Sequence, residues 1–215
     1  MKRDELKYTL GQGEALKLQV IFLPAASAGA VREGDTLCIG VPPLESVEQD
    51  LTVDLVGEGA SLDLSGLSLC TGSSSVVLRV TVNHHSGGCT SRQLFKCISS
   101  DSASFLFDGR ILVDPGAQKT KAFQENHNIL LSPTATAETH PQLEIYADDV
   151  ECSHGATVGA LDAEEQYYMR SRGIPEKEAR TLQIFSFLSP VLSQVADGRL
   201  RGTLKRRISS IIRGL

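Results

Sequence analysis

Hydrophobic and polar residues alternate over the first two-thirds of the chain, in short runs that predict β-strands. A period of two fits a pleated strand that buries one of its faces. The runs are LKLQVIF (16–22), LTVDL (51–55), SLDL (61–64), VLRVTV (77–82) and LEIY (143–146). Clusters of Gly, Ser, Asp and Pro between the runs predict tight turns. No helix-length periodic segment interrupts this pattern before about residue 150.

A weak repeat accompanies the alternation. Four apolar residues recur at intervals of 25 positions, and each lies in an apolar run: Leu55, Val80, Phe105 and Leu130. This interval lies within the range of roughly 20–50 residues that is typical of solenoids. A jelly roll or sandwich whose strand spacing coincides by chance would give the same intervals. Periodicity therefore leaves a solenoid and a sandwich open.

The pattern changes to a helical period after Leu161. Asp162 and Glu165 form a D-x-x-E capping pattern, Gly173 marks a helix end, and Pro175 marks the next helix start. Two apolar stripes with spacings of three and four follow. They comprise Ala179, Leu182, Phe185, Leu188, Leu192 and Val195, and then Leu200, Leu204, Ile208, Ile211 and Ile212. We predict a β body over residues 1–160 and a helical domain over residues 161–215.

The composition is that of a globular protein with a core of aliphatic side chains. Apolar residues make up 41% of the 215 residues and charged residues 22%, while aromatic residues make up 5% and Trp is absent. No apolar stretch of about 18 residues predicts a membrane span. The MKRDELKYTL start lacks the apolar segment of a secretory signal. We therefore expect a cytoplasmic protein that does not bind a membrane.

Five cysteines are present, an odd number, and no two of them form a C-x-x-C pair. This argues against a disulfide framework and against a closed zinc site built by one chain. We expect most of these thiols to be reduced and buried as small apolar groups. Walker A, G-x-S-x-G and H-E-x-x-H motifs are also missing, so ATP hydrolysis would have to come from a partner.

The net charge of −5 hides a basic end. Six basic residues and no acidic residue follow Asp197, so the preceding part carries −11. Such an end could contact nucleic acid or acidic lipid. A solvated helix face or a docking surface for an acidic protein is the more common use, and we expect no nucleic-acid partner.

Cys152 and His154 are the pair of residues whose chemistry suits a metal or cluster site. In an extended segment, residues i and i+2 point to the same face, so the thiol and the imidazole would lie side by side. This combination suits iron, zinc or a nascent iron–sulfur cluster. Two side chains cannot complete a tetrahedral site, so a second chain would supply the remaining ligands. The alternative is a buried cysteine and a hydrogen-bonded histidine with purely structural roles.

His84, His85 and Cys89 form a second group of ligand-type residues. Adjacent histidines on a strand point to opposite faces, so at most one of them could join Cys89 in a site. A structural or solvent-exposed role is therefore the preferred interpretation of this group.

The most distinctive runs are QLEIYADDV, CSHGATVG and YMRSRGIP within residues 140–175, and FDGRILVDPGAQKTKAFQENHNILLSPTA over residues 107–135. Together they resemble the SufB/SufD family of the SUF iron–sulfur cluster assembly system, over roughly half of the chain. Ser153 and Gly155 flank the histidine where SufB-like sequences tend to carry acidic residues. This difference, with the lack of C-x-x-C, favours the SufD branch.

The resemblance implies a mainly β fold, a right-handed parallel β-helix followed by a small C-terminal α-helical domain. It implies a non-enzymatic scaffold that docks a SufC-like ABC ATPase through its helical domain. It also implies pairing through the β-helix with a SufB-like subunit, or with a second copy when isolated. Cys152 and His154 would then contact a transient cluster at the dimer interface, and neither chain would hold it stably alone. The usual family member is longer, so the resemblance predicts an unusually short member.

A polysaccharide lyase or hydrolase built on a β-helix is the alternative function. Glu144, Asp148 and Asp149 are the acidic residues that such chemistry would use. Neighbouring aspartates point apart on a strand, however, and aromatic residues that would bind sugar rings are scarce. The scaffold therefore remains the preferred function.

Overall fold

A computed structural model describes residues 2–26 and 29–215, and within them the chain forms twelve strands and three helices. Sheet 1 contains, in spatial order, β1 (Lys2–Leu10), β5 (Ser46–Leu55), β7 (Ser75–His84), β9 (Ser104–Val113) and β11 (Thr136–Ile145). Sheet 2 contains, in spatial order, β12 (Glu151–Gly159), β10 (Lys121–Leu130), β8 (Thr90–Ser99), β6 (Ser61–Cys70), β2 (Ala15–Pro24), β4 (Thr36–Val41) and β3 (Gly29–Glu33).

From β4 onward, consecutive strands alternate between the two sheets, so each rung adds one strand to each sheet. The neighbouring strands of both sheets run parallel, except that β3 is antiparallel to β4. This topology confirms the prediction of a mainly β parallel solenoid and replaces the sandwich alternative. The β3–β4 pair extends sheet 2 beyond β2, at the end opposite to β12.

The predicted 25-residue interval is wrong. Ser46 pairs with Ser75, 29 positions further on, and Ser104 pairs with Thr136, 32 positions further on. Each rung consists of two strands of about ten residues and two turns, and the lengths of the turns set the interval. Leu130, the last member of the predicted series, lies in sheet 2 rather than sheet 1. Alternation located the strands correctly, but it could not supply the lengths of the turns.

The core between the sheets is built from the inward-facing residues of both sheets. Leu18 and Val20 on β2 pack in the same cluster as Val53 and Leu55 on β5, and all four are buried. Between β8 and β9 the rings of Phe95 and Phe107 contact each other with centroids 4.6 Å apart. Such a row of stacked aliphatic and aromatic side chains makes each rung depend on its neighbours.

The helices begin and end where the capping pattern predicts. α1 (Ala163–Ser171) starts after Asp162, whose carboxylate accepts hydrogen bonds from the N–H groups of Glu164 and Glu165, at 2.8 and 3.1 Å. Gly173 lies just beyond its end with a φ of 85°, in the left-handed region that glycine adopts without steric cost. α2 (Glu176–Gln194) and α3 (Gly198–Gly214) follow. The change from strands to helices thus falls between Gly159 and Ala163.

α2 and α3 pack on the outer face of sheet 2. Leu188 and Leu192 of α2 and Leu204 of α3 share one buried cluster with Leu67 and Ile98 of the sheet. This packing confirms that most residues of the apolar stripes are buried. Phe185 and Ile211 are only partly buried, Leu182 is exposed, and Ile184 and Val191 are buried in addition. None of the helices in the described parts of the chain is long and apolar enough to cross a membrane.

Candidate functional site

The candidate residues lie on β12, one of the two edge strands of sheet 2. Cys152 pairs with Ala122, and His154 with Gln124, on the neighbouring strand β10. Because Ala122 and Gln124 are both buried between the sheets, the register assigns Cys152 and His154 to the row that faces the interior of the solenoid. The sequence prediction that the two side chains share one face of a strand is therefore confirmed.

Cys152 is half-buried and packs against the small apolar cluster of the last rungs. Burial, as the largest effect, raises the pKa of its thiol, while a backbone hydrogen bond at Ala122 lowers it more weakly. The thiol of the single chain is therefore protonated at neutral pH, and it must lose its proton to become a metal ligand.

His154 is exposed at the open end of the solenoid. Over residues 2–26 and 29–215, no group of three His, Cys, Asp or Glu side chains is arranged to hold a metal ion. The two donors on β12 thus have no third ligand from the described part of their own chain. Two donors are half of the four ligands that a tetrahedral metal site needs.

The interior row that ends at His154 changes from apolar to polar along the solenoid. In register across sheet 2 it runs through Leu18, Leu64, Gln93, Gln124 and His154. The Gln124 side-chain N–H donates a 2.9 Å hydrogen bond to the side-chain oxygen of Gln93, Oε1. Sequence reasoning missed these buried amides because polar residues at every second position normally predict a solvated face.

Asn126 and Asn128 continue this polar lining along β10. The Asn128 Nδ2 donates to Asn126 Oδ1 at 2.7 Å, and both side chains are buried. Gln124 Oε1, Asn126 Nδ2 and Asn128 Oδ1 make no hydrogen bond within the described residues. Buried polar groups without partners are costly, and these three lie on the strand next to β12.

The last rung leaves two strand edges open side by side. β11 is the terminal strand of sheet 1 and β12 the terminal strand of sheet 2. Three large apolar side chains, Ile145, Tyr146 and Val158, are exposed along them. Unpaired strand edges with apolar side chains are a template for pairing with another chain.

The second group of ligand-type residues is dispersed. His84 points into the interior, where its Nε2 lies 2.9 Å from Ser91 Oγ, and burial lowers its pKa to about 4. His85 lies outside, with Nδ1 2.7 Å from an Asp114 carboxylate oxygen. The Cys89 thiol donates to the Gly57 carbonyl oxygen at 3.3 Å. Each of the three side chains has its own structural partner, in agreement with the preferred interpretation.

The acidic residues of the alternative function are also separated. Glu144 accepts a 2.6 Å hydrogen bond from Arg110 on the neighbouring strand β9. Asp148 and Asp149 lie beyond β11, where the Asp149 backbone N–H donates to Gln118. Glu144 therefore forms an ion pair with Arg110 on the sheet.

The basic end forms one exposed side of α3. Leu200, Leu204, Ile208 and Ile212 are buried on the other side. Arg207 donates to the Pro24 carbonyl oxygen, which ties α3 to β2. Four further basic side chains are exposed and take part in no ion pair within the described residues: Arg199, Lys205, Arg206 and Arg213.

Residues 45–187 match the family described as "SUF system FeS cluster assembly, SufBD core domain". The chain is 38% identical over 168 residues to the iron–sulfur cluster assembly protein SufD of Escherichia coli, which covers 78% of this chain and 40% of that protein. An iron–sulfur cluster assembly SufBD family protein of Synechocystis is 42% identical over 130 residues, covering 60% of this chain and 28% of the relative.

SufD of Bacillus subtilis is 31% identical over 185 residues, covering 86% of this chain and 39% of the relative. The chain thus spans about two fifths or less of the length of these relatives. The range matched by the family, residues 45–187, contains every strand from β5 onward, both candidate ligands and most of the first two helices. The chain belongs to the SufB/SufD core family and is a SufD-like member of it.

Proposed function

We propose that this chain is a non-enzymatic scaffold component of iron–sulfur cluster assembly, which contributes half of a cluster site and depends on a second chain for the rest. The observation that carries the proposal is the position of Cys152 and His154 on one face of the open edge strand. The relatives named as SufD or SufBD family proteins are described as iron–sulfur cluster assembly proteins, and this supports the same role.

The second chain pairs with the open edges of β11 and β12. Pairing would satisfy the free backbone groups of these strands and cover Ile145, Tyr146 and Val158. A SufB-like subunit is the proposed partner during assembly, and a second copy of this chain is the proposed partner in isolation. In either case the cluster is a cargo that is held transiently between two chains, with Cys152 as a thiolate ligand and His154 as a neutral nitrogen ligand.

The energy for assembly comes from a SufC-like ABC ATPase that docks on the helical domain. The sequence itself has no Walker A motif. The exposed basic side of α3 would attract an acidic surface of this partner and increase the association rate in a salt-dependent way. Because α3 shares the buried cluster of α2 and sheet 2, deleting residues 198–215 would uncover apolar surface. Charge substitutions test the docking surface more cleanly than truncation does.

The test of the site is His154→Ala, with Cys152→Ser as a second variant and His140→Ala as a matched control. His140 is also an exposed histidine on a terminal strand, β11, but its partner in the register is the outward-facing Asp108 rather than a buried residue. Each variant is combined with SufB-like and SufC-like partners, and the iron and acid-labile sulfide that the complex accumulates are measured.

We expect His154→Ala to abolish cluster accumulation while the thermal unfolding temperature and the oligomeric state stay unchanged, and His140→Ala to behave like the unchanged protein. Cys152→Ser should reduce accumulation by the same amount or less, since the partner can supply the essential sulfur ligand. If His154→Ala lowers accumulation only in proportion to lost stability, His154 is structural and the proposed site is wrong.

A further inference from the structure

Gln124 occupies a fixed position directly beneath His154. Its side chain is 1% exposed and lies between the two sheets, on the strand next to β12. The register pairs Gln124 with Gln93 on one side and with His154 on the other. The three side chains therefore form one column along the axis of the solenoid, and His154 is its outer end.

The amide of Gln124 has a direction within this column. Its nitrogen donates to Gln93 Oε1, one rung further inside, at 2.9 Å. In a primary amide the oxygen and the N–H groups lie in one plane and point in different directions, so a nitrogen that donates to Gln93 leaves the oxygen as a free acceptor. Gln124 Oε1 is buried and has no hydrogen-bond donor within residues 2–26 and 29–215.

The opposite sheet holds this amide in place. A Cβ atom on Gly109 of β9 would lie 2.5 Å from Gln124 Oε1 and 2.5 Å from the Phe107 ring. Glycine at this position thus leaves room for the amide, and the buried Phe107 ring closes the space beside it. With Gln93 on its inner side, the amide of Gln124 keeps its oxygen in the space that Gly109 leaves, one register position from His154.

We propose that Gln124 is a positioning residue for His154: its Oε1 accepts a hydrogen bond from one ring N–H of His154 when a second chain covers the end of the solenoid. This fixes the imidazole tautomer and leaves the other ring nitrogen free for the cluster. Histidine ligands commonly donate their second N–H to a neighbouring acceptor, which sets the ring orientation and raises the basicity of the ligand nitrogen. The covering second chain and the role in cluster assembly rest on the proposed function, whereas the hydrogen bond in the paired protein can be measured apart from cluster accumulation.

The variants that test this inference remove or restore the acceptor. Gln124→Met keeps the length of the side chain but removes the amide, both its oxygen and the N–H that donates to Gln93. Gln124→Glu restores an acceptor, and as a buried, protonated acid it can also donate to Gln93. Asn126→Leu is the matched control, because Asn126 lies on the same strand, is equally buried and accepts one side-chain hydrogen bond. Its partner in the register is Ala156 instead of His154.

The direct measurement is the ring N–H proton of His154 in nitrogen-15 NMR spectra of the paired protein labelled at its five histidines, assigned by its loss in His154→Ala. We expect a resolved, exchange-protected ring N–H that disappears in Gln124→Met, returns in Gln124→Glu and persists in Asn126→Leu. The inference is overturned if Gln124→Met keeps the signal, or if Asn126→Leu loses it as well.

Cluster accumulation provides the second measurement. We expect Gln124→Met to lower the iron and sulfide of the complex by about 10-fold or more, the usual effect of losing such a partner of a ligand. Asn126→Leu should keep the accumulation of the unchanged protein, and an equal loss in this control counts against the inference. If His154→Ala leaves accumulation unchanged, the proposed cluster site fails, while the ring N–H signal still decides whether Gln124 holds His154.

Discussion

Acidification should destabilise the fold through His84, a histidine buried without charge between the sheets. Its Nε2 lies 2.9 Å from Ser91 Oγ, and its Nδ1 has no hydrogen-bond partner within the described residues. Burial first, and then the nearby charge of His85, lower the pKa of His84 from 6.5 to about 4. One pKa unit corresponds to about 1.4 kcal/mol, so the full effect on the free energy of unfolding is about 3 kcal/mol.

The sign and the pH range follow from proton binding. Below pH 6.5 the unfolded chain takes up a proton on His84, whereas the folded chain stays neutral down to about pH 4. The contribution of neutral His84 to the free energy of unfolding is therefore fully present above pH 6.5, and it is lost progressively as the pH falls to about 4. Between pH 7 and pH 5 the loss amounts to about 2 kcal/mol. For a chain of this length it lowers the unfolding temperature by roughly 4–8 °C.

Urea unfolding at pH 7 and pH 5 measures this loss in the unchanged protein and in His84→Gln. Because glutamine does not titrate, we expect His84→Gln to be less stable at pH 7 but to lose about 2 kcal/mol less between pH 7 and pH 5. The control His85→Gln, which changes the exposed neighbour, should retain most of the loss. An equal loss in His84→Gln and in the unchanged protein would refute the role of the buried imidazole.

Two further predictions concern packing and charge. Gly109→Ala should destabilise the fold by about 1–3 kcal/mol in urea unfolding, because a Cβ there would lie 2.5 Å from two buried side chains. Gly116→Ala, where a Cβ meets nothing within 4 Å, should be neutral or slightly stabilising, and equal effects at the two glycines would contradict this reasoning. Replacing Lys205 and Arg206 together by Glu should slow association with the SufC-like ATPase, most strongly at low salt. Lys177→Glu on α2 is the charge control, and an equal effect there would argue against a docking role for α3.

Local sequence patterns identified the kind of element along most of the chain. Alternation in LTVDL and VLRVTV identified strands of sheet 1, and the change of period after Leu161 located the helices. Asp162 and Gly173 mark the start and end of α1 in the structure, as their types predict. These signals are local, since a strand, a cap or a turn depends on residues within a few positions of one another.

The spacing of the rungs was decided by the tertiary structure. Turns of different lengths place Ser46 beside Ser75 and Ser104 beside Thr136, and no periodicity of apolar residues records the length of a turn. The same limit applied to α2, where Leu182 is exposed and Ile184 is buried. Spacing in a sequence shows which residues share a face, but the neighbouring element decides which part of that face is covered.

For the candidate site, the sequence indicated that Cys152 and His154 share a face of one strand, and it predicts that a second chain supplies the remaining ligands. Tertiary structure decided that their strand is the open edge of sheet 2 and that its inner face continues a column of buried amides. In the run QENHN both faces of the strand are polar, so its pattern cannot tell the inside from the outside. The register with β8 and β12 shows that Gln124 faces the interior and lies next to His154. The sequence alone does not show this register, because it depends on contacts between residues about 30 positions apart.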